Sequence, residues 1–282
     1  MFAGIDIGGT NIHYVIEKGN KIITKGIYPT GNLDEVISFI GKIIKKYSLK
    51  KIGIGVAGDV NCEKGILRFA PNLSWQNVNL KEIFKKNFGV DAVVDNDANC
   101  AALWVHRKLK RKYKNLVLLT LGTGVGGGLI IDGKPYHSQY GSAAELGHIV
   151  VKENGRRCNC GGRGCLEAYV GAYYIRKRIK KFGWDLKDLT ENAKKGDRFS
   201  ISIYKEIGYW LGIASVTLIN IFAPDVICFT GGVSGGWRFF IKELKRVVRE
   251  RAFPYYSEKV KFLRVSLSMY SGSIGALYLL KE

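Results

Sequence analysis

Three cysteines and one histidine lie close together in the segment 148–165: His148, Cys158, Cys160 and Cys165. Thiolate and imidazole are ligands that zinc prefers, and a Cys₃His set closes a tetrahedral structural site with no position left for water. The glycines between these cysteines would let the chain wrap around an ion. Cys62, Cys100 and Cys228 stand singly in apolar surroundings, a distribution typical of a reducing compartment. The pattern predicts a structural zinc loop over residues 148–165.

Two glycine clusters each follow a predicted strand. The first is Gly8-Gly9-Thr10, and the second is a Gly-rich turn at Gly122–Gly128. The second contains a literal G-x-G-x-x-G, but the next residues, Leu129–Ile131, predict a strand instead of the helix that a dinucleotide site requires. Glycine backbone N–H groups, with the hydroxyls of Thr10 and Thr123, suit phosphate oxygens. Tight β-turns explain Gly8-Gly9 equally well.

Carboxylates form the third candidate group. Asp95-Asn96-Asp97 lies between a strand ending at Val94 and a helix beginning at Ala98. One of the three residues is therefore expected to be the helix N-cap, and an acid at this edge of a sheet is also where α/β enzymes place catalytic groups. Glu145 and Glu167 flank the predicted metal ligands. They could hold sugar hydroxyls, or they could be ordinary solvated acids.

The elements that must position these residues alternate between strands and helices, which favours a parallel or mixed sheet with helical cover. Strands are predicted at Ala3–Ile7, Asn11–Glu17, Lys21–Tyr28, Ile52–Val56, Asp91–Val94, Leu116–Leu121, Leu129–Ile131, Val226–Phe229 and Val260–Val265. Helices are predicted over Leu33–Tyr47, Ala98–Leu109, stretches between Leu166 and Phe222, Trp237–Arg251, and from Gly272. The strand, glycine turn and strand of residues 3–17 recur from Leu116 onward. This echo predicts two similar α/β units separated in the basic stretch Arg107–Lys114.

Composition excludes several classes of protein. The chain has 282 residues, 46% hydrophobic residues and a net charge of +20, so a folded core is expected and anionic partners are favoured. The start lacks a signal-peptide pattern, and the apolar run Trp210–Ala223 is too short to span a bilayer, so we expect a cytoplasmic protein. The basic runs are interpreted as solvent-exposed faces of helices. Because the sequence contains no recognisable nucleic-acid-binding module, nucleic acid is not an expected partner. The chain has two glutamines and few methionines, a composition typical of proteins that function at high temperature.

With these residues assembled, the chain resembles the ROK family of sugar kinases and sugar-responsive repressors over nearly its whole length. The matching segments are Gly4 to Asn11, Asp95 to Asn99, Leu121 to Gly128, Glu145 to His148, Cys158 to Glu167, Thr230 to Ser234 and the sugar-side loop Ala70 to Trp75. Ala57-Gly58-Asp59, Ser138 and Ala144 depart from the family's usual residues. These departures leave the identity of the sugar open.

The resemblance implies an α/β fold of the actin-like, hexokinase-like (ribonuclease H-like) kind, with two domains, a cleft between them, and a homodimer or higher homo-oligomer. The small domain would span residues 1–112, with a C-terminal helix at about 270–282 packing back on it. The large domain would span residues 113–269. Repressors of the family carry an added helix-turn-helix module, and because the first motif begins at Gly4 we expect none here.

The resemblance also implies an ATP- and Mg²⁺-dependent hexose kinase of glycolysis, most often a glucokinase. N-acetylmannosamine, N-acetylglucosamine and fructose are alternative substrates. The net charge of +20, and not the resemblance, adds polyphosphate as an alternative donor, because a polyanion gains from an extended positive surface. Asp97 would be the catalytic base, and the implied sugar contacts are Asn72, Asn96, Glu145, His148 and Glu167. The implied nucleotide contacts are Asp6, Gly8, Gly9, Thr10, Asn11, Thr123, Gly124, Gly126, Gly127, Gly231 and Gly232. His148 would also bind zinc, together with Cys158, Cys160 and Cys165.

Overall fold

The chain divides into two compact units in the computed structural model, which describes residues 1–141 and 143–282. The first unit comprises Met1–Lys112, Ile130–Ala143 and Leu267–Glu282, and the second comprises Tyr113–Leu129 and Ala144–Ser266. The break after Lys112 falls inside the predicted basic stretch. Residues 130–143 belong to the first unit instead of continuing the second, because hydrogen bonds such as Arg68 Nη1 to the Tyr140 carbonyl (2.5 Å) hold them there.

The first unit is built on a five-stranded sheet in the order β3-β2-β1-β4-β8. Its strands are β1 (Phe2–Ile7), β2 (Asn11–Lys18), β3 (Lys21–Pro29), β4 (Lys51–Val56) and β8 (Asp91–Asn96). The first three form the predicted antiparallel meander, whereas β1, β4 and β8 run parallel. Helix α1 (Leu33–Tyr47) has the predicted bounds, because Asn32 and Glu35 form a capping box at its start. The parallel strands therefore end at one edge of the sheet.

A small antiparallel sheet follows β4, and the sequence did not predict it. It contains β5 (Asp59–Asn61), β6 (Ile66–Ala70) and β7 (Trp75–Asn79), and helix α2 (Leu80–Phe88) comes next. The three strands have three to five residues each, too few to establish an alternating hydrophobic period. Helix α2 does carry apolar residues at helical spacing, at Leu80 and Phe84, but no helix was predicted from this signal. Helix α3 (Asp97–Lys108) then follows β8 directly.

The second sheet has the order β11-β10-β9-β12-β13. Its strands are β9 (Leu116–Leu121), β10 (Val125–Ile131), β11 (Lys134–Pro135), β12 (Val226–Thr230) and β13 (Lys261–Arg264). Strands β9, β12 and β13 are parallel, and β10 and β11 are an antiparallel pair. Each sheet thus contains both antiparallel and parallel strands, as the repeated pattern of strand, glycine turn and strand predicted.

The predicted turn at Gly122–Gly128 is too long. Strand β10 begins at Val125, so Gly126 and Gly127 lie in a strand and only residues 122–124 form the turn. A side chain on Gly127 would collide with Leu146 and with the Ala144 carbonyl, so this glycine permits close packing on the strand.

The helices of the second unit are α4 (Glu167–Val170), α5 (Ala172–Ile179), α6 (Leu186–Lys194), α7 (Arg198–Phe222), α8 (Trp237–Arg251) and α9 (Pro254–Lys259). The predicted apolar run lies at the end of α7. Across the described part of the chain, no helix combines the length and the apolar character needed to cross a membrane.

The last helix, α10 (Ser271–Tyr278), lies within the first unit and packs on α3, β1 and β4. Gly4 and Gly53 make this approach possible, because a side chain on either would collide with the backbone of α10. Each unit has its own hydrophobic core. The glycine turns after Ile7 and Leu121 and the segment Asp95–Asp97 lie at strand ends within these units.

Candidate active site

Asp97 is the first residue of α3 and follows the last residue of β8. The N-cap is Asn96, whose Oδ1 accepts hydrogen bonds from the backbone N–H groups of Ala98 (2.8 Å) and Asn99 (3.4 Å). Asn96 Nδ2 donates to the Gly58 carbonyl at 3.0 Å. The prediction of an N-cap among residues 95–97 is confirmed. The Nδ2 group of Asn96 has two N–H donors and gives one to Gly58, so the second can meet a ligand.

Asp6 is the penultimate residue of β1 and lies close enough to Asp97 for their charges to interact. Burial, and secondarily the negative charge of Asp97, raise the pKa of Asp6 to about 7. Two carboxylates that disfavour each other's charge offer hard oxygen ligands, which suit Mg²⁺. This pair in the first unit could hold a magnesium ion or the magnesium of a bound nucleotide.

The first glycine turn is held by one backbone hydrogen bond and one hydrogen bond from a side chain. Gly8 N–H donates to the Asn11 carbonyl (3.1 Å), and Thr30 Oγ1 donates to the Gly8 carbonyl (2.7 Å). Asn72 lies against this turn, since a Cβ on Gly9 would be 3.2 Å from the Cβ of Asn72. Thr10 is exposed beside it. The structure thus brings together the predicted phosphate turn and one predicted sugar contact. It also adds Thr30, which supports the turn and which was not identified from the sequence because Thr30 lies 22 residues from Gly8.

The second glycine turn lies at the N-terminus of α5. The carbonyls of Gly122 and Thr123 accept hydrogen bonds from the N–H groups of Ala172 and Tyr173, both at 3.0 Å. Gly231 has a left-handed φ of 88° and lies against the backbone of Leu121, where a side chain would collide. Gly232 begins a short 3₁₀ turn. The two predicted nucleotide turns of the second unit therefore follow the neighbouring parallel strands β9 and β12.

Glu167 accepts a hydrogen bond from the backbone next to the glycine turn, so it is not an ordinary solvated acid. Its Oε2 accepts a hydrogen bond from Val125 N–H at 2.9 Å, and its Oε1 lies 3.6 Å from Cys158 Sγ. A side chain on Gly124 would collide with the same carboxylate. Glu145, by contrast, is exposed. Glu167 connects the glycine turn to the predicted metal group, a role that sequence spacing did not indicate.

The four predicted metal ligands come together in the second unit. One ligand atom from each of His148, Cys158, Cys160 and Cys165 lies within 4.8 Å of all the others. His148 Nδ1 is 3.8 Å from Cys158 Sγ, and the sulfurs of Cys160 and Cys165 are 3.7 Å apart. All the cysteines are free thiols. These separations are near those of a tetrahedral zinc–thiolate site, so the four residues fit a zinc ion.

The chain was compared with known proteins. The model of the ROK family matches residues 2–282. A glucokinase of Thermotoga maritima is 33% identical over 99% of this chain and 96% of its own length. A xylose repressor of Caldicellulosiruptor bescii is 30% identical over 92% of this chain and 73% of its own length.

Among solved structures, a ROK family glucokinase from Streptomyces griseus, in complex with glucose and AMPPNP, has 28% identity and a TM-score of 0.80 over 99% of this chain and 98% of its own. The ROK hexokinase from Thermus thermophilus has 26% identity and a TM-score of 0.86 over 99% and 98% of the two chains. The fold of this chain is therefore the actin-like, hexokinase-like α/β fold.

Proposed function

Because the chain belongs to the ROK family, we propose that it is an ATP-dependent sugar kinase whose substrate is glucose. The observation that carries this proposal is the position of Asp97, at the start of α3 and in electrostatic contact with the buried Asp6. The similarity to two proteins named as glucokinases supports the choice of substrate.

Asp97 acts as the general base. It accepts the proton of the sugar hydroxyl, at C6 for glucose, while that oxygen attacks the γ-phosphorus of ATP and ADP leaves. Phosphoryl transfer depends mainly on alignment and on charge neutralisation, so a carboxylate at a helix N-terminus is basic enough for this step. Its Oδ1 accepts a hydrogen bond from Ala98 N–H (2.9 Å), which helps to fix the carboxylate's orientation.

The nucleotide is held by Asp6, by Gly8 to Asn11, and by the turns that contain Thr123, Gly124, Gly231 and Gly232. Gly126 and Gly127 support the second turn from within β10. Magnesium bound with ATP supplies positive charge to the phosphates that react. Asp6 orients the metal end of the nucleotide, and its charged form becomes favourable beside a cation.

The sugar hydroxyls are held by Asn72, Asn96, Glu145, His148 and Glu167. His148 can present Nε2 to the sugar because Nδ1 is the ring nitrogen that faces Cys158. Zinc bound by His148 and the three cysteines would fix the orientation of this ring and of the loop around it.

The replacement Asp97→Asn tests the assignment of the base. It should leave glucose binding within about threefold of the parent and lower kcat by about 10²- to 10⁴-fold, the usual contribution of a general base. Steady-state kinetics with glucose and ATP would give kcat, and calorimetric titration would give the glucose affinity.

The matched control is Asp34→Asn, which removes an exposed carboxylate from the first turn of α1. Its kcat should stay close to that of the parent. A kcat for Asp97→Asn equal to that of the control would remove Asp97 from the mechanism.

Substrate choice is tested with a panel of glucose, fructose, N-acetylglucosamine and N-acetylmannosamine, each offered ATP or polyphosphate. We expect the highest kcat/KM for glucose with ATP. A higher kcat/KM for an acetylated sugar or for fructose would mean that this sugar, and not glucose, is the substrate. The assignment of Asp97 as the base would be unaffected. A higher value for polyphosphate would replace the donor.

Zinc binding at His148, Cys158, Cys160 and Cys165 is tested by elemental analysis. Cys160→Ser should bind one zinc ion fewer per chain than the parent, and its Tm should fall because a structural ion contributes to folding. Cys228→Ala, in the core of β12, should keep the zinc content of the parent. Equal zinc content in Cys160→Ser and the parent would contradict the site.

A sugar-responsive regulator is the second candidate, and the 30% identity to a xylose repressor favours it. It would bind a sugar without turnover. The absence of phosphorylated product with every sugar and donor, combined with measurable sugar affinity, would select the regulator over the kinase.

We place the enzyme in the cytoplasm, as a homodimer or higher homo-oligomer that feeds glucose into glycolysis and works at elevated temperature. Light scattering on the purified protein tests the oligomeric state, and a monomer at working concentration would contradict it.

A further inference from the structure

A second group of metal-ligating side chains lies in the first unit, apart from the predicted zinc loop. It consists of Cys62, Asp95 and His137, and one ligand atom from each lies within 4.8 Å of the others. Cys62 Sγ is 3.1 Å from Asp95 Oδ1, and His137 Nε2 is 2.8 Å from Asp95 Oδ2. The expectation that Cys62 stands alone in apolar surroundings is wrong, because its sulfur also lies 2.7 Å from the Gly141 carbonyl.

Asp95 is the centre of this group, and only 1% of its side chain is exposed. Its Oδ1 also accepts hydrogen bonds from Asn96 N–H (2.7 Å) and Asn99 Nδ2 (2.9 Å). A buried carboxylate is stable only when it is paired or bound to a metal. Of the described groups that hydrogen-bond to Asp95, only His137 can carry a positive charge, and its side chain is 32% exposed.

The geometry points to a second cation site: we propose that Cys62 Sγ, the Asp95 carboxylate and His137 Nε2 bind a borderline divalent cation such as Zn²⁺. Sulfur, oxygen and nitrogen donors are the three ligand types that zinc combines. A thiolate and a carboxylate together neutralise its charge. The thiol proton of Cys62 is released when the ion binds.

The distances between the side chains are close to those that such an ion needs. Zinc bonds of about 2.0 to 2.3 Å in a tetrahedron separate ligand atoms by roughly 3.3 to 3.8 Å. The two contacts to Asp95, at 3.1 and 2.8 Å, must therefore open by about half an ångström. Rotation of the partly exposed His137 and of the Cys62 side chain is sufficient for this change.

All three ligands line one cavity of about 350 Å³. The cavity is also lined by Glu63, Lys134 and Glu282. An ion with three protein ligands keeps a fourth position for water or a small anion, and the cavity provides the space for it. This distinguishes the group from the Cys₃His set in the second unit, where four protein ligands close the site.

A cation bound by Cys62, Asp95 and His137 would affect the junction of β8 and α3. Asp95 contacts the backbone of Asn96 and the side chain of Asn99, so an ion that holds Asp95 also holds the residues on both sides of Asp97.

The first test counts zinc by elemental analysis after dialysis of the whole chain against buffer with free zinc. The variants are Cys62→Ser and His137→Ala, and each should hold one zinc ion fewer than the parent. Cys228→Ala and His13→Ala, at residues outside both ligand groups, are the matched controls and should hold as much zinc as the parent. Circular dichroism spectra identify variants that fail to fold.

A second measurement uses the parent alone, so that it stands even if a variant does not fold. Alkylation of Cys62 by iodoacetamide, followed by peptide mass spectrometry, should slow at least tenfold when zinc is added. Equal zinc content in the parent and both variants, or alkylation of Cys62 that zinc does not slow, would overturn the proposal.

Discussion

The carboxylates of Asp6 and Asp97 belong to residues far apart in the chain, one next to last in β1 and the other at the start of α3. Each makes the charge of its neighbour less favourable, and burial of Asp6 adds to this effect, so the pKa of Asp6 rises to about 7. Perturbed carboxylates of this kind mark functional sites more often than ordinary surface positions. The pair is the strongest indication of the reaction at the scale of single residues.

The raised pKa of Asp6 makes stability depend on pH. Between its ordinary pKa of 3.8 and about 7 the folded chain holds a proton on Asp6 that the unfolded chain has lost. Stability from this group therefore falls as pH rises through that range, by up to about 1.4 kcal/mol for each pH unit. Asp6→Asn removes the effect.

We expect the Tm of Asp6→Asn to exceed that of the parent at pH 8, and the difference to shrink as the pH is lowered to 5. Calorimetric melting of both proteins across this range measures it. A difference that does not change with pH would show that Asp6 keeps an ordinary pKa.

The junction of β8 and α3 is the element that positions the base. Asn96 satisfies two N–H groups at the start of α3 and reaches back to the Gly58 carbonyl, so one side chain joins the helix to the loop after β4. Asn96→Ala should lower the free energy of unfolding by about 1 kcal/mol, the usual value of an N-cap. Urea unfolding followed by circular dichroism provides the measurement.

The comparison variant is Asn96→Asp, which keeps an N-cap oxygen and loses the donor to Gly58. It should be more stable than Asn96→Ala while still impairing turnover, because Asp97 follows immediately in the chain. Equal stability of the alanine variant and the parent would mean that the Asn96 cap contributes nothing to α3.

Across the whole molecule, several carboxylates and arginines form three-membered ion networks. Glu206 pairs with Arg156 (3.0 Å) and Arg178 (2.7 Å), and Arg246 pairs with Glu243 and Glu250 (2.6 Å each). Glu282 bridges Arg107 and Arg111 in the first unit. Networks of this kind matter most at high temperature, where the cost of removing charges from water is smaller.

Together with the low glutamine and methionine content, these networks predict a Tm above the range of about 45–65 °C that is typical of mesophilic domains. Scanning calorimetry of the parent tests this. Glu206→Gln should lower the Tm more than Glu191→Gln, which breaks only the exposed pair with Lys194. A parent Tm inside the mesophilic range would contradict the prediction.

Much of the molecule follows from local sequence. Helix α1 has its predicted bounds because its capping box and its hydrophobic period are both local. The metal ligands of the loop 148–165 were identified because so short a segment can bring them together whatever the rest of the fold does. The strands β5, β6 and β7 were not predicted, because their pairing is decided by packing and not by a hydrophobic period.

The sequence by itself determined which residues could do chemistry, since side-chain type, turn propensity and short spacing are properties of neighbouring residues. Only the tertiary structure decided that the charges of Asp6 and Asp97 interact, that Glu167 holds the glycine turn, and that Cys62, Asp95 and His137 form one group. The assignment of residues 130–143 to the first unit was decided in the same way. Contacts between residues far apart in the chain depend on how whole sheets and helices pack, and no local pattern encodes that packing.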